Sequence, residues 1–142
     1  MIPDPELEAR LAALEPPYRS KGEAQVGRLL DRYGVSFFYE QPILVIDDGG
    51  YRFLHPDFTL PTYNGLILEY AGMPDKPDYM RKLHYKQRVY RENVITALFI
   101  YPQDLTGPSW PERLYGRIVQ EGHRAVGTAA PTTGYSASPK YP

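Results

Sequence analysis

The chain has 142 residues, 42 % hydrophobic and 13 % aromatic, enough to bury one sizeable core but not two. It has no cysteine, which excludes disulfide scaffolds, thiolate zinc sites and cysteine nucleophiles, and its three histidines (His55, His84, His123) are too scattered for a structural zinc. A net charge of −1 gives no bulk drive toward nucleic acid, although the segment from Lys76 to Arg91 is locally basic.

The start, MIPDPELEAR, is acidic and unlike a signal peptide, and no apolar run reaches membrane-spanning length. The expected setting is cytoplasmic, with no membrane partner. Residues 1–19 read as an arm or short helix, with Leu7, Leu11 and Leu14 at helical spacing before Pro16-Pro17. Ser20 then opens a helix that Gly34 stops, its apolar positions Val26, Leu29, Leu30 and Tyr33 recurring with helical period. Glu23 precedes Val26 by three and so projects from the core-facing side. Ser20-x-x-Glu23 also fits a capping box, a role compatible with serving as a ligand at the mouth of a site.

Val35 to Glu40 and Ile43 to Ile46 read as strand or edge segments, and Asp47-Asp48-Gly49-Gly50 as a hairpin turn. The calcium-loop spacing is missing from that Asp pair. The central stretch follows, YRFLHPDFTLPTYNGLILEYAG from Tyr51 to Gly72. An apolar run from Leu54 to Leu60 carries Pro56-Asp57, a turn spans Pro61 to Gly65, and a second run from Leu66 to Tyr70 carries Glu69. Two paired strands thus deliver two carboxylates among residues that favour burial. Buried and unpaired, such acids would be disfavoured by several kcal/mol, so they call for a cation.

Asp78 is the expected N-cap of the next helix, YMRKLHYKQRVYREN, on which Lys86 and Tyr90 share a face. Ile95 to Tyr101 is continuously apolar, as a strand buried on both faces would be. Pro108 to Glu121 reads as a closing helix, and residues 122–142, rich in Gly, Ser, Thr, Ala and Pro, as a flexible tail. One domain over residues 20–121 is expected between arm and tail. Its order is helix, three strands in meander, helix, strand, helix.

Helix with Glu23, strand with Pro56-Asp57, strand with Glu69, helix, strand resembles the core of the PD-(D/E)XK nuclease superfamily, the restriction-endonuclease-like fold. More narrowly, SKGEAQVGRLLDRYGVSFFYEQPI, HPDFTLPTYNGLILEYAG and YKQRVYRENVITALFIYPQDL resemble the small nuclease modules associated with DNA helicases. The similarity spans roughly residues 18 to 105, and the chain carries no helicase motif. One position departs from the pattern. The superfamily lysine two residues after the second acid is Ala71 here. In the relatives this chain most resembles, a lysine of the following helix replaces it, and Lys86 occupies the matching place.

The resemblance implies an α/β fold with an αβββαβ core, a mixed central sheet flanked by helices, and a metal-dependent DNA endonuclease. Asp57, Glu69 and the backbone carbonyl of Tyr70 would bind Mg²⁺, with Mn²⁺ able to substitute, through hard oxygen ligands. Glu23 would hold a second metal or a water. Lys86 would orient the attacking water or offset charge in the transition state. Gln87 and Tyr90 would position the strand, and Arg81, Lys82, Arg88 and Arg91 would contact phosphates. His55 is expected to pack near the site rather than act as a base. A homo-oligomer is compatible with double-strand cleavage. Two other readings stay open: an inactive nucleic-acid-binding module of the same fold, and a structure-specific or homing-type enzyme such as a junction resolvase.

Overall fold

The computed structural model describes residues 4–6 and 14–129. Helix α1, Lys21–Arg32, begins where the sequence places it: the Ser20 hydroxyl accepts the Glu23 N–H at 3.1 Å. It ends in a Schellman arrangement. Gly34 takes φ +67°, its N–H bonds the carbonyl of Asp31, and the N–H of Val35 reaches back to Leu30 at 2.8 Å. The capping box forms only in part, because the Glu23 carboxylate reaches the N–H of Arg19 rather than that of Ser20.

Five strands follow: β1 (Phe38–Tyr39), β2 (Ile43–Asp47), β3 (Gly50–Leu54), β4 (Phe58–Leu60) and β5 (Leu66–Tyr70). Helix α2 (Pro77–Glu92), strand β6 (Ala97–Ile100) and helix α3 (Trp110–Ala129) complete the described chain. The main sheet is mixed, in the order β1-β4-β5-β6, antiparallel except for the β5–β6 pair that α2 connects. β2 and β3 form a separate hairpin closed at Asp48 and Gly49, both at positive φ, as a two-residue turn between strands requires.

The expected three-strand meander is thereby corrected. The run from Leu54 to Leu60 is not one strand: β3 ends at Leu54 and β4 starts at Phe58. Pro56 has no N–H to give a ladder and holds His55 extended, so the chain leaves the hairpin there and enters the main sheet. Three smaller corrections follow. Helix α2 is capped at Lys76 with Pro77 in its first turn, which puts Asp78 inside the helix. Strand β6 lies at a sheet edge and buries only Leu98 and Ile100 fully, not both faces. Helix α3 continues to Ala129, eight residues into the segment read as tail. The expected arm helix over Glu6 to Leu14 and the rest of the tail lie largely outside the described residues.

Alternation along the strands sorts the molecule into layers. Phe58, Leu60, Leu66, Leu68, Leu98 and Ile100 face α1 and α3, where they meet Val26, Leu29, Leu30, Leu114 and Ile118. Ile67 faces the other way, toward Val89 and Tyr90 of α2 and toward Val45 and Leu54 of the hairpin. Each layer buries an apolar stripe that would otherwise be wet, at about 25 cal/mol per Å².

Candidate metal centre

Asp57 and Glu69 fall on one face of the sheet because of the register. Phe58 pairs with Leu68, and one step further puts Asp57 opposite Glu69; the bond from the Glu40 N–H to the Asp57 carbonyl continues the ladder on the β1 side. Both acids therefore point away from α1 and toward α2. Glu69 is 2 % exposed and is held by two groups of that helix, the Lys86 ammonium at 3.3 Å and the Tyr90 hydroxyl. Asp57 accepts the Tyr70 N–H at 2.7 Å on one oxygen, and its other oxygen receives no hydrogen bond from the described residues.

A cavity of about 240 Å³ opens over these acids, lined also by Glu23, Tyr70, Tyr79, Lys82, Leu83 and Lys86. Glu23 comes from the first turn of α1, where the Tyr39 hydroxyl donates to it at 2.5 Å and the Arg19 N–H at 3.3 Å. Three carboxylates thus share the cavity with two lysines. Burial and then the Glu69 charge push the Asp57 carboxyl up to about 7, against the opposing Tyr70 N–H and Lys86. Burial raises Glu69 as well, partly offset by Lys86 and Tyr90. Negative charge here is under-compensated. Tyr90, raised by burial and by Glu69, stays a neutral donor.

The donor set fits a hard divalent cation that keeps waters and takes a phosphate oxygen, as Mg²⁺ does: carboxylates and a carbonyl, with no sulfur and no histidine. Among the described residues, however, no group of three or more His, Asp or Glu side chains forms a ready metal cage. A wider recess of about 400 Å³ lies against α3 at Arg113, Arg117 and Gln120, but its one acid, Asp104, is paired with Arg117. The candidate site residues line the smaller cavity. A scan of known protein families finds none that matches the chain, and a search of curated proteins returns no significant match.

Of the residues singled out in the sequence, Glu23, Asp57, Glu69, Tyr70, Lys82 and Lys86 are brought together. Ala71 is fully buried, so a lysine in its place would have to force its way into the core; Lys86 enters from α2 instead. Tyr90 holds Glu69 from beneath at 1 % exposure and cannot touch a strand of DNA. Arg88 lies over the Tyr85 ring and pairs with Asp47 and Glu92, away from the cavity. Arg81 is exposed and paired with Asp78, and Gln87 is half-buried outside the lining. His55 is exposed at the link between β3 and β4 and does not line the cavity.

Sequence reasoning missed Tyr79, whose hydroxyl donates to the Tyr70 carbonyl at 3.1 Å and accepts the Gly72 N–H at 2.9 Å. Its place on α2 carried a signal: Tyr79, Leu83, Lys86 and Tyr90 repeat at helical spacing on one face. Also missed was the seat of the Tyr70 ring. A Cβ on Gly22 would lie 2.0 Å from that ring and one on Gly72 2.9 Å, so two glycines make room for it at the cavity wall.

Proposed function

We propose that the chain is a metal-dependent DNA endonuclease with a restriction-endonuclease-like core, hydrolysing phosphodiester bonds through a two-acid site with a lysine donated by the following helix. The observation that carries this reading is the placement of Asp57 opposite Glu69 on neighbouring strands, with Lys86 of α2 at 3.3 Å from Glu69. The layered order, with a helix crossing between parallel β5 and β6, supports it.

Asp57, Glu69 and the Tyr70 carbonyl would hold the ion, with Glu23 lining the same cavity. Bound there, Mg²⁺ or Mn²⁺ would supply Lewis acidity toward a phosphate oxygen and make water easier to deprotonate. The protein's own groups do the rest. Tyr90 and Lys86 fix the Glu69 carboxylate in one orientation, and Tyr79 fixes the Tyr70 carbonyl while leaving its second lone pair available. The Lys86 ammonium would donate to a non-bridging oxygen as negative charge develops on it. Glu23 has one oxygen engaged by Tyr39 and Arg19, and its other oxygen would accept a proton or hydrogen bond from the attacking water. Lys82 at the rim would meet the flanking phosphate.

The test is cleavage of supercoiled plasmid, linear duplex, branched junction and single-stranded DNA in Mg²⁺ or Mn²⁺ by wild type, Asp57→Asn and Lys86→Ala. Products that require metal and fall by at least about 100-fold in both variants are expected. Products unchanged in the variants would sink the site assignment; no cleavage together with no calorimetric metal binding would favour an inactive binding module. Preference for the junction would select the structure-specific reading.

A further inference from the structure

The outer face of the β2–β3 hairpin is apolar and exposed. Leu44 and Phe53 are cross-strand partners, as are Ile46 and Tyr51, so the four side chains form one contiguous patch. They are 55 %, 61 %, 55 % and 77 % exposed. The opposite face of the hairpin behaves conventionally, burying Val45 and Leu54 against α2 and the main sheet. A solvated two-stranded sheet normally alternates apolar-in with polar-out. Here the outer face is apolar instead, and the charged pair of Asp47 and Arg52 lies on the inner one.

We infer that this outer face is the contact surface between two copies of the chain. Three observations select a second copy. First, none of the four residues carries a charge, and the two arginines nearest the hairpin are internally matched: Arg52 and Arg88 with Asp47 and Glu92. A two-fold interface sets a surface against itself, so a neutral patch suits it where a basic one would repel and a nucleic acid would require one. Second, the four side chains expose on the order of 500 Å² per copy, so pairing two patches buries about 1,000 Å², the threshold of a specific interface before any rim is counted. Third, the Asn93 side chain bonds both the N–H and the carbonyl of Ile46, at 2.9 Å each, which closes the β2 edge there to an added strand and favours docking through the face.

The inference does not depend on nuclease activity, and its test does not use it. Sedimentation velocity at about 10 μM should show a wild-type dimer. Phe53→Glu and Ile46→Glu should weaken association by at least about 100-fold with an unchanged far-ultraviolet spectrum, because each places charge in the contact twice. Met73→Glu, at an exposed apolar residue outside the hairpin, should stay dimeric. With no native cysteine, single cysteines report contact cleanly: among Leu44→Cys, Ile46→Cys, Tyr51→Cys and Phe53→Cys, at least one should form a disulfide-linked dimer on mild oxidation, and Gln25→Cys on α1 should not. A wild-type monomer at about 100 μM would assign the patch to a different partner and overturn the inference. So would a dimer that survives both glutamates, or cross-linking no better on the hairpin than at Gln25.

Discussion

Gly22 shows how a single residue can matter through what it lacks. Helix propensity alone would reward Gly22→Ala with roughly 1 kcal/mol. The new Cβ would instead meet the Tyr70 ring at 2.0 Å, and Gly72 also lies close against that ring, where a Cβ would be 2.9 Å away. We expect a net loss of about 1–3 kcal/mol in urea unfolding and, if the proposed nuclease reading holds, impaired cleavage as well, since Tyr70 carries both the carbonyl at the site and the N–H that anchors Asp57. A stabilised variant would show that the ring has room to move. Nothing in the sequence distinguishes this glycine from an ordinary helix-weakening one; only the distant ring explains it. Asp57 and Glu69, by contrast, were legible because charge inside an apolar run is improbable without a purpose.

The elements divide along the same line between local and distant causes. Helix α1 could be read to within a residue or two, because its cap, its stripe and its terminal glycine all act within the helix. The turn at Asp48 and Gly49 was equally plain. The separation of hairpin from main sheet was not, since period-2 alternation says that a strand has two faces but not which sheet it joins. The length of α3 was misread for a related reason: Gly122 resembles a stop, yet it is buried beneath the Tyr63 ring, where a Cβ would lie 2.6 Å away. Asn93 is the element-scale counterpart of a rivet, bonding the Ile46 backbone and the Val89 carbonyl at once. Asn93→Ala should destabilise the protein by about 1–3 kcal/mol and accelerate amide exchange selectively at Ile46. Equal acceleration through the main sheet would mean the hairpin and sheet open as one unit.

For the molecule as a whole, the crowded acids make stability depend on pH. Asp57 is lifted from the usual 3.8 to about 7, so between those values the folded state retains a proton that the unfolded chain releases. The metal-free protein should therefore lose stability as pH rises from about 4 to about 7, and Glu69, shifted the same way, adds to the loss. A divalent ion bound at these acids as proposed would compete with that proton, so added Mn²⁺ should raise Tm more at pH 8 than at pH 5. Thermal melts in chelator and in Mn²⁺ across that range give both slopes. In Asp57→Asn the chelator slope should flatten, and an unchanged slope would locate the titration elsewhere. Among the described residues no helix is long and apolar enough to cross a membrane.

Three helical glycines each accept a tyrosine ring: Gly22 takes Tyr70, Gly27 takes Tyr18 and Gly122 takes Tyr63. Each glycine weakens its helix while the chain is open and is matched only once its ring has docked, Tyr18 from the segment just before α1 and Tyr70 and Tyr63 from distant segments. Neither α1 nor α3 is therefore suited to act as a preformed nucleus. Secondary and tertiary structure must condense together, each helix being completed only as its tyrosine docks.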